Sequence, residues 1–260
     1  MPQRRRVRAS VDGLSSILVF ACVAQLTLAA DGAAVGSFRL SSTLAAVVGK
    51  ETAERVSAII PMDQQLTWEI YVPEGYAAAK PPGLMVYISP TGSGRIPRGW
   101  KTVLQEKNLI WIAANDSGNG AIVTRRAVVA IVAPSLIEER YNIDHDRIYV
   151  SGLSGGGKMA SMVATDNAHL FKGAIYNCGV NFWDDESPDR IDLIRQNHYV
   201  FVTGTLDQAL EPTKKVYKQY RNAGVENALL MVVRGMTHKN PDRYKIAEAI
   251  AYLDSRLDLE

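Results

Sequence analysis

Residues 146–164 read DRIYVSGLSGGGKMASMVA, which joins a strand-like run, a glycine-rich turn and a helical run in immediate succession. The turn from Gly152 to Gly156 matches the pattern G-x-S-x-G. A serine at the centre of this pattern sits on a turn so sharp that the flanking residues must lack side chains. We therefore predict that Ser154 is a nucleophile, and that the helix behind it presents free N–H groups to a developing negative charge.

Short apolar runs alternate with helical patterns along most of the chain. Strands are predicted at 66–72, 84–89, 109–114, 147–150, 171–176, 199–202 and 228–233. Helices are predicted at 122–141, after Ser154, at 212–223 and at 244–257. This alternation favours a mostly parallel central sheet with helices on both faces, in a single α/β domain over residues 31–260.

The first thirty residues differ from the rest of the chain. Four arginines within residues 4–8 precede an apolar stretch from Leu14 to Ala30. This pattern is typical of a secretory signal peptide, so we expect residues 1–30 to be removed near Ala29 or Ala30 and the protein to be secreted or periplasmic. The alternatives are a membrane anchor, for which the stretch is shorter than the ~20 residues that span a bilayer, and lipid attachment through Cys22.

Composition and charge narrow the classes of function. The chain is 47% apolar and 22% charged, the balance of a globular protein with a sizeable core. Its net charge is +2, but residues 1–30 contribute four Arg and one Asp, so the remainder is close to −1 and indicates no nucleic-acid partner. Without the signal only Cys178 remains, which excludes an internal disulfide.

The glycine-rich turn also fits a second pattern. Residues 152–158 match G-x-x-x-x-G-K, the loop that cradles phosphates. That loop needs Ser or Thr after the lysine to hold magnesium, and this chain has Met159. The nucleophile interpretation is therefore favoured over a phosphate-binding loop or a purely structural turn.

A serine nucleophile needs a base, and strand polarity selects one histidine of four. His145, His169 and His198 each precede a predicted strand and so lie at the amino edge of the sheet. His238 follows the strand at 228–233, which places it at the carboxyl edge beside Ser154. We therefore predict His238 as the general base.

The third member of a triad orients the imidazole. Asp207 follows the strand at 199–202 and lies between Ser154 and His238 in the chain, which gives the order Ser–Asp–His. The alternative acids also follow a strand and are Asp184, Asp185 and Glu186. Asp207 is preferred because the alternatives lie in a more polar stretch.

Two backbone donors are needed to hold the oxyanion. One is predicted at Gly155, directly after the nucleophile, and the other in the loop after the strand at 84–89. Pro90 has no N–H, so Thr91 is the preferred residue and Gly92 the second choice. Asn181 and Trp183 follow a strand and are predicted to line the substrate pocket, although Trp183 equally fits core packing.

With these residues in place, the chain resembles the α/β-hydrolase superfamily over about residues 66–257. The resemblance is carried by RIYVSGLSGGG at 147–157, GTLD at 204–207 and GMTH at 235–238. The chain is most similar to small secreted esterases of the polyhydroxybutyrate depolymerase and feruloyl-esterase type. Such esterases usually have His-Gly where this chain has Ser89-Pro90.

The resemblance implies an α/β-hydrolase fold with little or no cap domain, and hydrolysis of carboxylic esters through a Ser154, His238 and Asp207 triad. It implies a small-molecule or polymer-attached ester as substrate, with no cofactor and no metal. Two alternatives stay open: a serine peptidase of the oligopeptidase type, and a non-catalytic extracellular binding module on the same fold. We expect no membrane span in the mature chain.

Overall fold

The computed structural model describes residues 33–183 and 188–255, and residues 1–32, which include the predicted signal peptide, lie outside them. Within the described residues, eight strands form one sheet. The strands are β1 Gly36–Thr43, β2 Gln65–Val72, β3 Gly83–Ile88, β4 Leu109–Ala114, β5 Ile148–Leu153, β6 Gly173–Asn177, β7 His198–Gly204 and β8 Ala228–Val233.

The strands are connected largely by helices. In chain order the helices are α1 Leu44–Val48, α2 Lys50–Arg55, α3 Trp100–Glu106, α4 Val123–Ile131, α5 Ala133–Glu138, α6 Gly155–Asp166, α7 Pro188–Gln196, α8 Leu210–Asn222 and α9 Arg243–Asp254. A short 3₁₀ helix, His145–Arg147, leads into β5. Within residues 33–183 and 188–255, no helix has the length and hydrophobicity that a membrane span requires.

The order of the strands across the sheet is β1-β2-β4-β3-β5-β6-β7-β8. Strands β3 to β8 are parallel to one another, whereas β2 is antiparallel to both of its neighbours, β1 and β4. The predicted mostly parallel sheet is therefore confirmed. Because the six parallel strands end at one edge, the loops that follow β3, β5, β7 and β8 are gathered there.

Helices cover both faces of the sheet, and the strand sequences explain why. Successive side chains of a strand point to opposite faces, so a strand buried on both sides is apolar at every position. In β4, Ile110 and Ile112 join the core on one face while Trp111 packs with the core on the other. Helices α3 and α9 cover the Trp111 face, and α1, α2 and α4 to α8 cover the Ile110 face.

Strand β1 is absent from the sequence prediction. Its residues, GSFRLSST, alternate between half-buried and exposed positions and contain three serines and one arginine. Such a strand lies at the sheet edge against β2 alone and needs no continuous apolar run. The helices α1, α2, α3 and α7 are also additions to the predicted elements.

The helix predicted at 122–141 is two helices. The first, α4, ends at Ile131, and Pro134 occupies the first turn of α5. Proline has no N–H and its ring collides with the carbonyl four residues earlier, so a continuous helix cannot pass through it.

Candidate active site

Ser154 occupies the turn between β5 and α6. Its backbone has φ 57° and ψ −119°, a conformation that side chains rarely adopt. Its N–H donates to the carbonyl of Asn177 at the end of β6, at 2.8 Å. A Cβ atom built on Gly156 would overlap the carbonyl oxygen of Ile88, so only glycine permits this close approach of helix and strand.

Asp207 and His238 meet beyond the ends of β7 and β8. The distance between His238 Nδ1 and Asp207 Oδ1 is 2.7 Å. The Asp207 side chain is fully buried, whereas 32% of the His238 side chain is exposed. This arrangement fixes Nδ1 on the carboxylate and leaves Nε2 as the ring nitrogen that a nucleophile or substrate can reach.

The Asp207 carboxylate is ionised despite its burial. Thr203 Oγ1 donates to one of its oxygens at 2.9 Å, and the N–H of Ala209 donates to the other at 2.9 Å. Burial alone would raise the pKa of Asp207, but hydrogen bonds from Cys178, Ala209, His238 and Thr203 outweigh it and lower the pKa below its ordinary value. A charged carboxylate beside an imidazole stabilises the protonated ring.

Cys178 connects the turn that contains Ser154 to this pair. It follows Asn177, whose carbonyl binds Ser154, and the backbone of Gly179 packs against Ser154. Its Sγ lies within 4.8 Å of the Asp207 and His238 ligand atoms and 3.3 Å from the carbonyl oxygen of Lys239, so Asp207 and Lys239 are alternative acceptors for its single S–H. The Ser154 turn and the Asp207–His238 pair therefore both lie against residues 177–179 at the carboxyl edge, and their action as a triad stays a prediction.

Ser154 Oγ makes no hydrogen bond shorter than 3.5 Å to any residue in the described ranges. In free enzymes the catalytic hydrogen bonds are often long or poorly aligned, and they tighten only when substrate binds. Two of the remaining histidines precede a strand, and His198 is the first residue of β7, so all three lie at the opposite edge as predicted. The alternative acids Asp184, Asp185 and Glu186 lie outside the described residues.

The predicted oxyanion donors lie on the two segments beside Ser154. Gly155 is the first residue of α6, and its N–H has no intrahelical acceptor. Thr91 lies in the loop after β3, but its N–H donates to Ser89 Oγ at 3.1 Å. Thr91 must exchange this bond before it can bind an oxyanion, which is a cost that the sequence does not reveal.

The two predicted pocket residues follow β6. The backbone N–H of Asn181 donates to Ser161 Oγ of α6 at 2.9 Å, which anchors the segment. Trp183 stacks on Phe182 with ring centroids 4.3 Å apart and packs edge-on against the buried Tyr220 at 4.4 Å. Both side chains are half-buried, and their contact with substrate stays a prediction.

Cys178, Asp207 and His238 are also a candidate metal-ligand set by residue type, since their ligand atoms lie within 4.8 Å of one another. The hydrogen bonds of Asp207 already occupy both its oxygens. Burial raises the pKa of the Cys178 thiol to about 12, so it stays protonated, whereas a metal binds the thiolate. A protonated thiol and a carboxylate that already accepts several hydrogen bonds are therefore poor ligands for a metal ion.

Residues 129–254 match the sequence model of the prolyl oligopeptidase family, Peptidase S9. This region contains Ser154, Asp207 and His238 and ends with α9. No curated protein sequence matches the chain significantly.

Solved structures similar to this fold include esterases and peptidases. A ferulic acid esterase superposes with a TM-score of 0.61 at 15% identity, over 86% of this chain and 100% of its own. The feruloyl esterase module from Clostridium thermocellum, solved with sinapinate, gives 0.58 at 15% identity, over 85% and 89%. Dipeptidyl peptidase 4 of Porphyromonas gingivalis gives 0.55 at 19% identity, over 74% of this chain and 34% of its own. The predicted α/β-hydrolase fold is therefore confirmed.

Proposed function

We propose that this chain, an α/β-hydrolase by fold, is a secreted serine esterase that cleaves carboxylic esters through Ser154, His238 and Asp207. The observation that carries the proposal is the buried Asp207 carboxylate, 2.7 Å from Nδ1 of a partly exposed imidazole. A carboxylate in this position fixes the tautomer of the ring and stabilises its protonated form. A serine nucleophile needs a base held in this way.

In this mechanism Ser154 Oγ attacks the carbonyl carbon of the ester while His238 Nε2 accepts the hydroxyl proton. The carbonyl oxygen becomes an oxyanion and accepts hydrogen bonds from the N–H of Gly155 and from Thr91. His238 returns the proton to the leaving alkoxide, which leaves the acyl group on Ser154. Water, deprotonated by the same imidazole, then releases the acid and regenerates the serine. The cycle uses no cofactor.

The acid and alcohol parts of the ester are not specified by these groups. Two of the structurally similar proteins are named for ferulic acid or feruloyl esters, so a hydroxycinnamoyl ester belongs in the first substrate panel. Acetyl and hydroxybutyrate esters complete the panel, so that it covers both the small-molecule and the polymer-derived esters that the sequence resemblance implies. The panel ranks the esters by kcat/KM.

A fluorophosphonate probe tests the nucleophile. We expect the wild-type protein to be labelled. The Ser57→Ala control should be labelled equally, because Ser57 is an exposed serine just after the end of α2. Ser154→Ala should not be labelled and should not turn over nitrophenyl acetate. Equal labelling of wild type and Ser154→Ala would exclude Ser154 as the nucleophile.

The second candidate is a serine peptidase, which the match to the prolyl oligopeptidase family favours. The same triad performs both reactions, so the distinction lies in the leaving group. The chain spans about a third of the length of the Porphyromonas peptidase. A Xaa-Pro nitroanilide cleaved with higher kcat/KM than every ester in the panel would decide for the peptidase.

A non-catalytic binding module is the candidate from a different class. It predicts a folded protein that is neither labelled by the fluorophosphonate nor active on any ester or peptide amide. Export is tested separately by N-terminal sequencing of the protein from the extracytoplasmic fraction. Our proposal expects a mature chain that begins directly after Ala29 or Ala30.

A further inference from the structure

Arg126 is a charged residue buried beneath the carboxyl edge of the sheet. It lies on α4 and is only 5% exposed. Burial lowers the pKa of its guanidinium. Among the described residues no carboxylate forms a salt bridge with it, and its hydrogen bonds go to backbone carbonyls. Burying an unpaired cation costs free energy, so hydrophobic packing does not explain this residue.

The carbonyls that Arg126 binds belong to three neighbouring loops of the carboxyl edge. Its Nε donates to Ser117 O at 2.9 Å, beyond the end of β4. Its Nη2 donates to Ser89 O at 3.1 Å, beyond the end of β3, and its Nη1 reaches Gly155 O at 3.4 Å, just after β5. Strands β4, β3 and β5 are adjacent in the sheet.

Two of these loops carry the predicted oxyanion donors. Gly155 supplies one N–H, and Ser89 is two residues before Thr91 and holds the Thr91 N–H through its own hydroxyl. The loop after β4 supports the loop after β3, because the N–H of Asn119 donates to the carbonyl of Pro90 at 2.9 Å. The planar guanidinium of Arg126 therefore bridges the two sides of the predicted oxyanion hole.

We propose that Arg126 is a positioning residue of the oxyanion hole, which fixes the distance between the loop that contains Thr91 and the start of α6. The inference rests on the proposed acyl-transfer function, since only that chemistry forms an oxyanion between the two segments. Arg126 does not touch the substrate. Its effect is preorganisation, which lowers the transition-state energy more than that of bound substrate.

The arginine fork, rather than positive charge alone, makes these contacts. A lysine at this position keeps the charge but cannot donate to three carbonyls in one plane. We therefore expect Arg126→Lys to lose part of the contribution that Arg126 makes to kcat, and Arg126→Gln to lose all of that contribution. Loss of one direct oxyanion donor lowers kcat by ~10²–10³-fold, so an indirect positioning residue should cost ~10–100-fold.

The experiment compares Arg126→Lys and Arg126→Gln with wild type on nitrophenyl acetate. The matched control is Arg125→Gln, on the same helix, whose side chain binds Gln64 away from the site. A phenyl trifluoromethyl ketone, which forms a tetrahedral oxyanion with an active serine, measures transition-state binding. Thermal unfolding identifies which variants are folded.

The proposal expects kcat to fall ~10–100-fold in folded variants, KM to stay within about twofold, and the ketone to bind more weakly in parallel with kcat. Unchanged kcat, or a change in KM alone, in a folded variant would overturn it. If neither variant folds, Arg126 is structural and the inference is wrong. An unlabelled, inactive wild type would instead refute the esterase function on which the inference rests.

Discussion

Ser154 and Cys178 both have a positive φ, 57° and 53°, on adjacent turns at the ends of the neighbouring strands β5 and β6. Asn177, directly before the cysteine, accepts the backbone hydrogen bond of Ser154. Non-glycine residues in such conformations cost of order 1–3 kcal/mol each and persist where the surrounding structure imposes them. The turns that contain Ser154 and Cys178 therefore store backbone strain.

Ser154→Gly should remove activity and relieve this strain. Glycine adopts φ above zero without penalty, whereas alanine retains the steric conflict. We expect Ser154→Gly to be more stable than Ser154→Ala by ~1 kcal/mol, after the entropy that glycine adds to the unfolded state is subtracted. Urea unfolding of both variants checks the difference. A less stable glycine variant would show that the turn is not strained.

Asp207→Asn should leave the fold intact and remove most of the activity. An amide in place of the carboxylate favours the wrong imidazole tautomer, which costs ~10⁴-fold in kcat in serine proteases. The control is Asp192→Asn, an exposed carboxylate paired with Arg195. Full activity of Asp207→Asn together with an inactive Asp184→Asn would transfer the role of the acid to residue 184.

The same residue should govern part of the acid sensitivity of the fold. Because the folded pKa of Asp207 is below its ordinary value of 3.8, folding favours its charged form. The stability it contributes is present above pH 4 and is lost as the pH falls through 3.8 toward the folded pKa. The free-energy difference between wild type and Asp207→Asn should therefore shrink below about pH 4. A constant difference from pH 7 to pH 3, measured by denaturant titration, would contradict this.

Cys178 should be inert to alkylation in the folded protein. Its pKa of about 12 leaves only a minute thiolate fraction at pH 8, and its side chain is buried. We expect iodoacetamide to modify it at least ~100-fold more slowly than in urea, since the thiolate is the nucleophile. Mass spectrometry of the tryptic peptide distinguishes it from Cys22. Rapid modification at pH 8 would mean that the region behind the triad opens.

Much of the fold was predictable because strands that are buried on both faces have continuous apolar sequences. The runs at 84–89 and 109–114 correspond closely to β3 and β4. Strand β1 escaped prediction because an edge strand needs apolar residues on one face only. The break before Pro134 follows from a proline within an otherwise helical pattern, and local sequence contained that signal.

Chain order and strand polarity were enough to predict the edge of the sheet at which the candidate site residues lie. Those two properties bring Ser154, Asp207 and His238 to one edge without any knowledge of distances. The hydrogen bond from Thr91 to Ser89 depends on loop conformation, which sequence periodicity does not encode. Arg126 was missed because it binds carbonyls 37 and 29 residues away in the chain. Every residue type has a backbone carbonyl, so the sequence does not identify such partners.

The unequal burial of the tryptophans gives the protein an intrinsic optical probe. Of the four tryptophans, Trp68, Trp100 and Trp111 are at most 1% exposed, while Trp183 is half-buried and follows the end of β6. Acrylamide in solution should therefore quench mainly the Trp183 emission. A non-hydrolysable ester analogue that covers Trp183 would reduce this quenching, so the fluorescence of the unmodified protein reports occupancy of the predicted pocket directly.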